Sequence, residues 1–139
     1  MSRNSRFLED FLAYLKLRTT LWSALIALKI SKEIGVRGNY IMHRKAYIEL
    51  LKLRGNLRKY GKVGLGVVKL FKPGWILYTT LADESEELDD FFERFGKRLE
   101  EVSDSLTGRG DVDRSINFLE KTLRKLKEFE AQIPKPEWW

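Results

Sequence analysis

Between Leu88 and Leu106 the apolar residues fall at Leu88, Phe92, Phe95, Leu99, Val102 and Leu106, alternately four and three positions apart. That is the heptad spacing of a helix with one apolar seam. A strand of period two would send these side chains to both of its faces. After Gly108-Arg109-Gly110 the alternation resumes at Val112, Ile116, Leu119, Leu123 and Leu126, with Phe129 and Ile133 beyond. The spacing predicts a helical hairpin over 83–133, turned at the glycines and stopped by Pro134 and Pro136, with 134–139 as a tail. Glu84, Glu86, Glu87, Asp89 and Asp90 crowd its start, where acids favour the helix dipole. Both helices have charged backs, so each seam needs a surface to bury against. That surface is either the N-terminal part of the chain or a second copy, meeting through Leu88, Phe92, Phe95, Leu99, Val102, Leu106, Leu119, Leu123 and Leu126.

Upstream, Phe7, Leu8, Phe11, Leu12 and Leu15 keep helical spacing, and Leu21, Trp22, Leu25, Ile26 and Leu28 continue an apolar face to Ile34. A helix over about 5–34 follows, with Gly35 as its C-terminal stop. Asn39 can cap another over about 40–60, with Ile41, Ile48 and Leu51 as one stripe, Tyr47, Leu50, Leu53, Leu57 and Tyr60 alongside, and Gly61 at its end. Gly55 weakens this helix. The run VGLGVVKLFKPGWILYTTL from Val63 is rich in β-branched and aromatic residues around Pro73-Gly74. It predicts a β-hairpin over about 65–81, with strands 65–71 and 75–81 and a tip at 72–75. The fold class expected is mostly α with one β-hairpin.

Composition excludes several chemistries. The chain has no cysteine and one histidine, His43. That leaves no disulfide, no thiolate metal site and no Cys/His or Ser/His/Asp set, so no enzyme, cofactor or metal is expected. Lys, Arg and Glu dominate the surface, a bias that fits a thermophile. Uncharged runs reach ten residues, as in 19–28 and 73–82, against the ~20 of a spanning helix. The start, MSRNSRFLED, has no signal-peptide core. A cytoplasmic protein with no membrane partner is therefore expected.

The net charge of +6 is unevenly spread: residues 1–80 carry 16 Lys/Arg against 4 acids, and residues 81–110 carry 4 against 10. Such segregation points to a polyanion as partner of the basic part.

One stretch gives that partner a possible reading device. In ISKEIGVRGNYIMHR, residues 30–44, the positions Ile30, Ser31, Ile34, Gly35, Val36 and Ile41 match the anchors, turn glycine and seating residue of a helix-turn-helix, whereas Arg44 stands where another apolar residue is usual. With the expected hairpin after it, the region 19–81 resembles the winged helix-turn-helix family of transcriptional regulators. The resemblance implies a winged-helix-like basic lobe over 1–82, a recognition helix starting near Asn39 in the DNA major groove, and the 65–81 hairpin as a wing. It implies that Arg37, Asn39, Tyr40, His43 and Arg44 face base edges. Lys45, Lys52, Arg58 and Lys59 would meet phosphates, as would Lys69 and Lys72 in the wing.

Two functions of different class follow. One is a sequence-specific regulator of double-stranded DNA, with RNA as the alternative polyanion, dimerising through its C-terminal helices. The other is a helical-bundle protein–protein interaction protein with no nucleic-acid role, in which the heptads serve an internal core.

Overall fold

The structure, a computed structural model, describes residues 3–34, 40–61 and 72–132, and within them the side chains of 8–34, 43–59 and 72–132. Five helices hold most of these residues: α1 (Arg3–Ile34), α2 (Tyr40–Gly61), α3 (Lys72–Leu81), α4 (Leu88–Leu106) and α5 (Val112–Gln132).

Each of the four long helices turns a stripe of 3–4 spacing to a common core. In α1 it is Tyr14, Leu17, Leu21, Ala24 and Leu28, and in α2 it is His43, Ala46, Leu50, Leu53 and Leu57. Of the apolar residues expected along α2, Leu50, Leu53 and Leu57 are core, whereas Ile48 is exposed. α2 lies mainly against α4, and α1 mainly against α5 and α2. The heptad seams of α4 and α5 therefore meet helices of their own chain. Leu88, Phe92, Phe95, Leu99, Val102, Leu106, Leu119 and Leu126 are buried there, and Leu123 is partly buried against them. This corrects the reading of those nine residues as a dimer interface. The N-terminal helices offer the nearest apolar surface, and burial against it removes the seams from water within one chain. A single core joins all five helices, so 1–82 and 83–133 are not separate bodies.

No strand occurs among the described residues, which overturns the fold with one β-hairpin and its winged-helix-like lobe. The expected strand 75–81 lies inside α3, and 65–71 lies outside the described residues. Pro73 sits in the first turn of α3, where its missing N–H leaves no helical bond unmade. Gly74, Ile76 and Leu77 are buried, with Trp75 and Tyr78 packed beside them. Burial on several sides has overridden the β-like composition of the segment. Tyr78 donates its hydroxyl proton to the Glu86 carbonyl at 2.7 Å and meets the Phe91 ring edge-on at 5.7 Å, fixing α3 on the start of α4.

The α4–α5 turn is tied closely. Gly108 takes φ 84°, and a side chain at Gly110 would stand 2.6 Å from Ser105 Oγ. That hydroxyl lies 2.7 Å from Ser115 Oγ across the turn.

α1 also corrects the expectation about spans. Its Leu8–Ile34 stretch is long and apolar enough to cross a membrane, by length and composition alone. The core helix of a bundle meets the same description, and here one face of α1 is core.

Candidate polyanion-binding face

The segregated charge of the chain is partly consumed by its own fold. Lys32 Nζ lies 2.6 Å from Asp113, Lys29 3.8 Å from Glu120 and Arg54 3.7 Å from Glu100, each joining a basic helix to α4 or α5. The hydrogen bond from Lys32 to Asp113 holds its ammonium pKa above the usual lysine value. Lys72 pairs with Asp10 at 3.2 Å, tying α3 to α1. Lys72 is thus a tether between helices and not the tip of a wing.

A group of exposed cations lies on α2. Arg44, Lys45, Lys52, Arg58 and Lys59 are all exposed. At ~100° per residue these five positions fall within an arc of about 140°. They extend along about 22 Å of helix axis. Leu51 and Gly55 share the arc with Ile48, and none of these carries charge. The nearest acid is Glu49 at its edge, 3.5 Å from Lys52. Gly55 stands bare in the middle, with nothing within 4 Å of where a Cβ would be.

The expected contact residues divide accordingly. Arg44, Lys45, Lys52, Arg58 and Lys59 share this face. Tyr40 opens α2, with its side chain outside the described residues, and Arg37, Asn39 and Lys69 lie outside them altogether. His43 is corrected outright: it is 3% exposed and turned to the core, so it meets no base. Its Nδ1 lies 2.6 Å from the Leu106 carbonyl oxygen, and its Nε2 meets the Ser31 hydroxyl and lies 3.2 Å from the Ala27 carbonyl. One sequence signal marks this role, because His43 heads the 43-46-50-53-57 stripe.

Comparison with known protein families, with curated proteins and with solved structures gave no match. The face has to be read from its own chemistry. Among the described residues no group of three His, Asp or Glu side chains could hold a metal ion. A cleft of about 600 Å³ between α2 and α4 mixes Arg54, Arg58 and Lys97 with Asp89, Glu93 and Glu100. Cations and acids so interleaved favour neither an anionic nor a cationic ligand.

Two shifted groups lie away from the face and serve the fold. Burial, with a hydrogen bond to Glu130 at 3.1 Å, pushes the Tyr14 phenol up to about 12. The Arg94 guanidinium, bonding Glu86 at 2.9 and 3.0 Å, holds that carboxyl below the ordinary value.

Proposed function

We propose that this chain is a duplex nucleic-acid-binding protein, most simply DNA-binding, that grips the phosphate backbone through the exposed basic face of α2. The observation that carries the reading is that arc of five exposed cations, within which α2 itself places no acid. Phosphate contacts from Lys and Arg supply affinity without sequence information. An α-helix has the diameter to enter a major groove, and a bare Gly55 permits close approach of its backbone to a phosphate. The reading asks for neither a wing nor a buried His43. It goes with a cytoplasmic protein in which α1 is a core helix, and with a binding role and no catalysis.

Salt dependence is the test. A face neutralising four or five phosphates should give log affinity against log salt a slope of about −4. Duplexes of unrelated sequence should bind alike. Absence of binding to any duplex at about 50 mM salt, where such contacts are strongest, would overturn the proposal.

A further inference from the structure

The bundle leaves one apolar seam only partly covered by the described residues, with Leu15 half-buried against the core and Ile26 half-buried beyond it. Opposite its core stripe, α1 carries Leu8, Leu12, Leu15, Thr19, Trp22 and Ile26, again alternately four and three apart. Leu8 is 46%, Leu12 61% and Trp22 53% exposed. A groove of about 590 Å³ runs along this seam, with Leu12, Leu15, Lys16, Thr19 and Thr20 on one wall and Lys45, Ala46 and Glu49 of α2, one cation and one acid, on the other. A heptad seam flanked by a groove is the seat of another helix.

The charges beside the seam select the occupant. Between Leu8 and Ile26 lie two acids, Glu9 and Asp10, and two cations, Lys16 and Arg18, so this stretch is neutral within a basic region. An anionic surface gains little from it, whereas a self-pairing helix meets no net repulsion. Glu9 and Lys16 both follow a seam leucine directly, both are exposed, and neither has an ion-pair partner among the described residues. They are seven positions apart, about 10 Å along one helix, and cannot meet each other.

We infer that two copies of the chain pair through the outward face of α1, antiparallel, with Leu12 of each stacked on Leu15 of the other. In that register Leu8 faces Thr19 of the second copy. The flanking positions then bring Glu9 beside Lys16 of the second copy, twice, by the two-fold axis. Shifting the register by one heptad would set Lys16 against Lys16 instead. The pairing is independent of nucleic acid, and Lys45 is the residue its groove shares with the basic arc.

Sedimentation equilibrium of the full chain without nucleic acid tests it, with circular dichroism confirming that each variant is folded. The wild type should be a dimer with a dissociation constant on the order of micromolar, as for a small interface. Glu9→Lys alone and Lys16→Glu alone should each weaken it by about 10-fold or more, and the two together should restore it. Leu12→Cys combined with Leu15→Cys should yield a covalent dimer on mild oxidation, because the chain has no other cysteine. Leu12→Cys alone should not, and a covalent dimer from that single variant would show a parallel pair and overturn the antiparallel register. A monomer at about 100 μM, far above a micromolar constant, would overturn the inference. So would a dimer indifferent to the charge exchange. A monomer that instead sediments with phosphatidylcholine–phosphatidylglycerol vesicles, and loses this on Leu12→Ser with Trp22→Ser, would assign the seam to a lipid surface and overturn the pairing equally.

Discussion

His43 Nδ1 stands 2.6 Å from the carbonyl oxygen of Leu106, the last residue of α4. A carbonyl can only accept, so Nδ1 carries the proton of that bond. The last carbonyls of a helix have no partner within it, and a histidine from another helix supplies one here. The same ring reaches Ser31 and Ala27 of α1, so one side chain of α2 joins three helices.

Replacing that ring should cost stability and spare binding. His43→Phe keeps volume but strands the buried Leu106 carbonyl, at about 1–3 kcal/mol, while the Ser31 hydroxyl keeps its bond to the Ala27 carbonyl. Urea unfolding should show a loss of about 1–3 kcal/mol. Duplex affinity of the folded variant should be unchanged. A selective loss of binding with full stability would return His43 to a contact role.

The basic arc and the tether should separate cleanly. Arg44→Ala and Arg58→Ala should each weaken duplex binding for all sequences alike and lower the salt slope by about 1. Lys72→Ala should leave binding intact, because its ammonium is engaged with Asp10 at 3.2 Å. Electrophoretic mobility shifts across a salt series would show it. A Lys72 effect equal to that of Arg44 would mean that α3 belongs to the binding face.

Those contrasts reflect how the sequence speaks. The seams of α4 and α5 were legible because apolar and charged residues alternate around them without ambiguity. What covers a seam was not legible, since a coiled-coil partner and an internal helix demand the same spacing. α1 defeated the pattern differently: Leu12 and Trp22 read as core-facing, yet they face outward while Tyr14 and Leu17 face in. A helix apolar on two sides does not say which side is inside. In α3, β-branched and aromatic residues suggested strands, and only burial around Ile76 and Leu77 decides for helix. The cations of α2 were legible as a basic run. That His43 lies behind them was readable only from its place at the head of the core stripe.

Tyr14 makes a prediction at high pH. Burial first, and then the bond to Glu130, lifts its phenol from the ordinary 10.0 to about 12, so the fold favours the neutral form. That contribution is complete below pH 10.0 and is lost as pH rises from there through about 12. Stability should therefore fall across this window, and in Tyr14→Phe the decline should be shallower. Absorbance at 295 nm should show one phenol ionising late, together with unfolding.

Glu86 makes the opposite one. Arg94 first, and then the Asp83 backbone N–H, bond its carboxylate and lower its pKa. A depressed carboxyl gives stability that is present above its unfolded value and is lost as pH falls through the folded one. Acid unfolding of Glu86→Gln should begin from a lower plateau and depend less on pH below 5 or so, the range where carboxylates titrate. An unchanged acid transition would show that the Arg94 bonds do not persist in solution.

Gly55 sets stability against binding. It lies in the exposed middle of α2, and no neighbour stands within 4 Å of where its Cβ would be. Gly55→Ala should stabilise the helix by about 0.5–1 kcal/mol, because a helical glycine gives up more backbone freedom than alanine and here returns no contact. If the backbone of α2 approaches a phosphate at this point, the added methyl must push the helix outward and stretch the bonds from Lys52 and Lys59 on either side. Duplex affinity should then fall several-fold while the unfolding midpoint rises, a combination that neither a damaged fold nor a lost charge produces. A variant gaining stability with full affinity would mean that the cations reach the duplex on extended side chains, with the backbone of α2 held away from it.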